Sequence, residues 1–102
     1  MDKGNEAIVK QIAKVYNQLS HVYDADQLFV SEHNDERVAE AMEFMGQIES
    51  ILNQMHHDKA LILWNDYFSK RESKWFFNYF AKSTYYRLRS AAIDEFVRCV
   101  TA

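Results

Sequence analysis

Apolar residues recur along this chain at helical spacing. From about Asn5 to Tyr23, the residues Ile8, Ile12, Val15, Tyr16, Leu19, Val22 and Tyr23 fall on one helical face. Lys10, Gln11, Lys14, Gln18 and His21 fall on the other. Asp24 and Asp26 interrupt the pattern, and Leu28-Phe29-Val30 forms a short apolar anchor before a polar loop. A second helix is predicted from Asp35 to His56, with Ser31 or Asn34 as N-cap. Asp35 and Glu36 then stand in a first turn where the helix dipole favours acids. Its stripe is Val38, Ala41, Met42, Met45, Ile48, Leu52 and Met55, widened by Phe44 and Ile51. Gly46 costs this helix about 1 kcal/mol relative to alanine, and both a close helix crossing and a tolerated defect fit it.

Asp58 is the expected cap of a third helix, Lys59 to Phe68, rich in bulky residues. Ser69-Lys70-Arg71-Glu72 has the spacing of a capping box and opens a short fourth helix through Trp75, Phe76 and Phe77, ending near Asn78. After the turn Phe80-Ala81-Lys82, Ser83 is a good N-cap for a last helix reaching about Val100. Tyr85, Leu88, Ala92, Ile93, Phe96 and Val100 supply its buried arc. Arg89 points into that arc, so it must reach outward, pair with an acid, or mark a shifted phase.

Composition narrows the fold class. The chain of 102 residues has no proline and two glycines, and it contains no Asn-Gly or Asp-Gly dipeptide. Hairpin turns depend on such residues, so a sandwich or barrel is excluded. Glycine-rich phosphate or dinucleotide loops are excluded as well. The expectation is an all-α single domain, a small bundle of about five helices with a C-terminal helix-turn-helix-like pair. Eleven of the 15 aromatic residues follow residue 60, which places the densest core in the last third. Trp64 and Phe96 are its expected anchors.

Charge is segregated. Residues 1–68 carry five basic side chains against twelve acids, and residues 69–102 carry seven against three. The net charge of −3 therefore hides an acidic helical pair (residues 1–57) followed by a basic part (residues 58–102). The single cysteine, Cys99, cannot staple the fold and reads as a buried or half-buried structural thiol. Neither an apolar leader nor a membrane-length apolar run is visible, and cytoplasm is the expected location.

Catalytic chemistry finds little support. His56 and His57 are adjacent and point about 100° apart on a helix, so they cannot easily share one ion. His21 and His33 lack a helical partner, and the acids form no paired arrangement. We expect neither enzyme activity, cofactor nor metal.

The basic part carries the candidate chemistry. A short helix, a tight turn and a longer helix starting Ser-Thr and bearing arginines is the helix-turn-helix pattern, whose second helix enters the major groove of double-stranded DNA. Ser83 and Arg87 share a polar face opposite Leu88, Ala92 and Phe96, which makes Arg87 the natural reader of base edges. The expected nucleic-acid contacts are Lys82, Ser83, Thr84, Arg87 and Arg89, with Lys70, Arg71 and Lys74 on phosphates.

The string Ser83-Thr84-Tyr85-Tyr86-Arg87-Leu88-Arg89, followed by Ala92-Ile93 and Glu95-Phe96, resembles the recognition helix of ArpU-type phage transcriptional regulators of Gram-positive bacteria. That helix in turn is similar to the sigma-factor helix-turn-helix reading the promoter −35 element. Tyr67 and Trp75 fit the family upstream, and the likeness covers about Leu61 to Val100. It implies sequence-specific DNA binding and regulation of phage or prophage genes. The family's turn usually carries a glycine; here it reads Phe77-Asn78-Tyr79-Phe80-Ala81, with Asn78 able to take the left-handed conformation.

A rival from another class is a helical protein-interaction module. In it the face of Met42, Phe44, Met45, Ile51 and Met55 takes a partner helix, whereas in the DNA-binding reading the acidic N-terminal pair of helices forms a homodimer on two half-sites or meets another protein.

Overall fold

Four α-helices dominate the computed structural model, which describes residues 3–25, 35–69 and 73–102. They are α1 (Lys3–Ala25), α2 (Asp35–Gln54), α3 (His57–Leu63) and α4 (Lys82–Thr101). α3 continues directly into a π-helical turn, Trp64–Phe68, and a 3-10 turn, Trp75–Asn78, precedes α4. The described residues include no strand. The class is all-α, with four α-helices and two short turns of other pitch in place of about five helices. The apolar anchor Leu28-Phe29-Val30, the proposed caps Ser31 and Asn34, and Glu72 of the capping box lie outside the described residues.

α4 is the central element and packs against α1, α2 and α3. The main core draws on every helix: Val9, Ala13 and Tyr16 from α1, Met45, Ile48 and Leu52 from α2, Leu63 from α3, and Ala92, Ile93, Phe96 and Val97 from α4. Met55, Tyr67 and Phe68 complete it. A second, smaller cluster joins Ile62 to Trp75, Phe76 and Tyr85, with Leu61, Phe80 and Leu88 against it. Adjacent residues of α3, Ile62 and Leu63, thus feed two cores, and the second one fixes the 3-10 turn onto the start of α4.

Several expectations are corrected. α1 is rotated about its axis relative to the sequence stripe: Val9 and Ala13 are buried, whereas Ile8 and Val22 are exposed. Trp64 retains 38% of its surface, although its ring stacks on Phe68 and meets Tyr16 edge-on. Two caps also differ. α3 begins before Asp58, and the His56 side chain at its N-cap accepts the Asp58 N–H at 3.2 Å. Asp58 therefore lies in the first turn, where its charge complements the helix dipole. α4 begins at Lys82, one residue before the expected cap Ser83, and Ala81 takes the N-cap position without a side-chain bond.

Residues expected to be equal in the core should therefore separate on truncation. Phe96→Ala removes a fully buried ring and should cost about 3–5 kcal/mol. Trp64→Ala should cost under about 2 kcal/mol, because much of its surface already faces water. A β-carbon added at Gly46 meets no atom within 4 Å, so Gly46→Ala should raise stability by about 1 kcal/mol. Urea melts of the three variants check the order.

Candidate functional site

Asp66 and Tyr67 are neighbours in the π turn, which closes with the Ser69 N–H donating to the Trp64 carbonyl at 2.6 Å. The wider turn directs both side chains at α4, where Arg89 waits. Arg89 Nη2 donates to Glu6 Oε2 of α1 at 2.6 Å and to the Tyr67 hydroxyl at 2.8 Å, and its Nε lies 3.7 Å from Asp66 Oδ2. The Tyr67 hydroxyl donates to Glu6 at 2.8 Å. Asp66 accepts the Trp75 indole N–H at 2.8 Å and the Tyr85 hydroxyl. One cation and two carboxylates are thus matched across α1, the π turn, the 3-10 turn and α4. Among the described residues no buried side-chain nitrogen or oxygen lacks a partner.

These contacts set the protonation states. The Tyr67 hydroxyl first, and the Arg89 charge after it, hold the Glu6 carboxyl below its ordinary value against the opposing effect of burial. Burial foremost, with Glu6 beside it, pushes Tyr67 up to about 12. Burial and then Asp66 likewise push Tyr85 above the ordinary tyrosine value. Glu6, Tyr67, Tyr85 and Arg89 are thus each kept in the state that bonds their neighbours, which is the behaviour of a structural clamp. A cleft of about 1000 Å³ lies beside this clamp, with Lys10, Lys14 and His21 of α1 on its wall.

The expected nucleic-acid residues divide into three groups. Lys74, Lys82, Ser83 and Arg87 are exposed and Thr84 half-buried, all at the corner where the 3-10 turn meets α4. Phe76 stacks flat on Tyr85 at 3.7 Å between centroids, which clamps the turn and the preceding Lys74 to the first turns of α4. Arg89 is held by Glu6 and Asp66 on the opposite side of the helix, so its charge is engaged inside the protein. Lys70 and Arg71 lie outside the described residues. The corner is built without glycine. Asn78 sits within the 3-10 turn, Tyr79 is right-handed (φ −120°, ψ −33°), and extended Ala81 (φ −64°, ψ 149°) redirects the chain.

The expected partner-binding face is corrected. Met45 and Met55 are buried in the intramolecular core, and Phe44 and Ile51 pack partly against it. Met42 alone of the five is exposed. Phe44 and Ile51 also line a second cleft, of about 860 Å³, together with Ile8, Ile12 and the C-terminal end of α4. Cys99 is exposed rather than buried. Among the described residues no group of three His, Cys, Asp or Glu side chains is placed to hold a metal ion, and no helix is long and apolar enough to cross a membrane.

What the sequence pattern missed at the corner is its aromatic surface. Phe77 and Tyr79 are each 57% exposed and Tyr86 is 48% exposed, although aromatic residues at helical spacing read as core. The signal available was crowding: seven aromatics from residue 75 to residue 86 are more than one four-residue turn and one helix face can bury.

No family model matches the chain, and neither a curated protein nor a solved structure is significantly similar to it.

The clamp generates a stability prediction with a defined pH dependence. Arg89→Ala strands the Glu6 and Asp66 carboxylates and should cost about 2–3 kcal/mol. Glu6 titrates lower in the folded chain than its ordinary value of 4.5. Its contribution is therefore complete above that pH and is lost as pH falls through the folded-state value. Tyr67 is raised from 10.0 to about 12, so its contribution is complete below 10 and is lost as pH rises through 12. Denaturant midpoints measured against pH should show both limbs, and Glu6→Gln should flatten the acid one.

Proposed function

We propose that the protein binds double-stranded DNA through the exposed start of α4 and acts as a sequence-specific transcriptional regulator of the phage or prophage type. The observation that carries this reading is the exposure of Lys74, Lys82, Ser83 and Arg87 at one corner, on a helix whose opposite face is anchored by Ala92, Ile93 and Phe96. A helix held this way presents its first turns as a rigid unit, which is what insertion into a groove demands. The helix N-terminus adds backbone N–H groups that suit a phosphate. Acids elsewhere do not cancel this corner. Asp94 and Glu95 on α4 are turned to Asn5 and Lys59 at 3.0 Å each, and Glu6 and Asp66 are spent on Arg89. The acidic α2, with Asp35, Glu36, Glu40, Glu43 and Glu49 against Arg37 alone, orients the molecule with its basic corner toward a polyanion.

Within this reading Arg87 meets base edges, because it lies one turn inside the helix and is exposed. Lys74 meets a phosphate from the adjoining turn. The resemblance of Ser83 to Phe96 to phage regulators supports the regulatory role. The apolar part of that string, Leu88, Ala92, Ile93 and Phe96, is also what packing of α4 requires, so the polar residues carry the functional weight.

Two substitutions separate reading from holding. Arg87→Ala should cost about 1–3 kcal/mol on a preferred site and relax preference at one or two bases. Lys74→Ala should weaken all duplexes about equally and reduce the salt slope by about one counterion. Titrations of parent and variants at two salt concentrations check both, after selection of a preferred site from a random duplex pool. A parent chain without salt-sensitive DNA binding overturns the proposal and leaves the interaction-module reading in its place.

A further inference from the structure

We infer that the rings of Phe77, Tyr79 and Tyr86 form a stacking platform for unpaired bases, so that the protein binds DNA with an open stretch in preference to continuous duplex. This rests on the DNA-binding reading above and adds the form of DNA that the corner takes. The three rings are about half exposed, a large apolar exposure within one corner of a small domain. Each is held from behind. Phe77 meets buried Phe76 at 4.8 Å, Tyr86 meets buried Tyr85 at 5.0 Å, and Tyr79 meets buried Trp75 at 5.9 Å. The interplanar angles of these contacts are 82°, 65° and 52°. The exposed rings therefore pack by edge and tilt, without flat stacking on these neighbours, and their π-faces are left for a ligand.

The surroundings select the ligand. Lys74, Lys82 and Arg87 stand exposed between and beside the rings in sequence and at the same corner. Alternating cationic and aromatic side chains suit a strand with a charged backbone and flat bases, as sequence-tolerant single-strand binders show. In continuous duplex the faces of the bases are stacked on one another and closed to a side chain, so three fixed rings would gain little from it. Where a strand is open, each base offers a face, and the rings are already ordered by the Trp75–Phe76–Tyr85 cluster, so little side-chain freedom is lost on binding.

Fluorescence anisotropy with the full chain tests this on three probes: a duplex, the same duplex with a central non-complementary bubble, and one of its single strands. The parent should bind the bubble about tenfold more tightly than the duplex. The double variant Phe77→Leu, Tyr86→Leu keeps apolar bulk but removes the aromatic faces. It should bring bubble affinity down to the duplex value while duplex affinity stays within about twofold of the parent. The corresponding double alanine variant should behave alike, and since both side chains are exposed, its melting midpoint should match the parent. Equal parent affinity for bubble and duplex overturns the inference while leaving duplex binding intact. Ring variants that bind every probe as the parent does also overturn it and assign the rings to a protein partner. Absence of salt-sensitive binding to all three probes overturns the DNA-binding reading itself.

Discussion

Arg89 is a permanent cation on the inward side of the central helix, and the fold is arranged around neutralising it. A guanidinium left unpaired at that depth would cost several kcal/mol. Glu6 answers it from 83 residues away in sequence, and Asp66 and Tyr67 answer it from the π turn. To deliver Glu6, α1 must turn the face of Glu6, Val9, Ala13 and Tyr16 inward. That orientation leaves Ile8 and Val22 in water. The exchange is favourable, because Val9 and Ala13 fill the core in their place and the charge is matched. The π turn is part of the same requirement, since it aims two consecutive residues at one partner.

The clamp also reaches the candidate interface. Asp66 pairs with Arg89 and accepts bonds from both Trp75 and Tyr85. It therefore ties the main core to the smaller cluster of Ile62, Trp75, Phe76 and Tyr85. That cluster supports the exposed rings and holds Lys74 near Lys82 and Arg87. Rigidity at the corner is thus inherited from a polar network on the other side of α4. The division of arginines along one helix follows from it: Arg89 works inside the protein, and Arg87, two residues earlier and far around the helix, is free to meet a ligand.

Much of this was legible in the residues. Missing hairpin chemistry excluded sheets, and apolar spacing located the helices to within a few residues. Crowded aromatics placed a dense cluster after residue 60, and the basic, Ser-Thr start of the last helix marked the corner. Arg89 was visible as a misfit in an apolar arc, with pairing to an acid as one of its resolutions. Its partner was not legible, because twelve acids precede residue 69 and nothing local distinguishes Glu6 among them.

Helix positions, fold class and charge segregation were determined by the sequence alone, because each depends on neighbours within a few residues and on what the chain lacks. Tertiary structure decided the rotation of α1, the π pitch after Leu63, the burial of Met45 and Met55, and the exposure of Trp64, Phe77, Tyr79 and Tyr86. For α1 the physical reason is explicit. A helical stripe wide enough to be apolar on two adjacent faces specifies an axis but leaves its rotation undetermined. Rotation is then chosen by the costliest group to bury, here the charge of Arg89, and its partner is brought near only when the chain has folded.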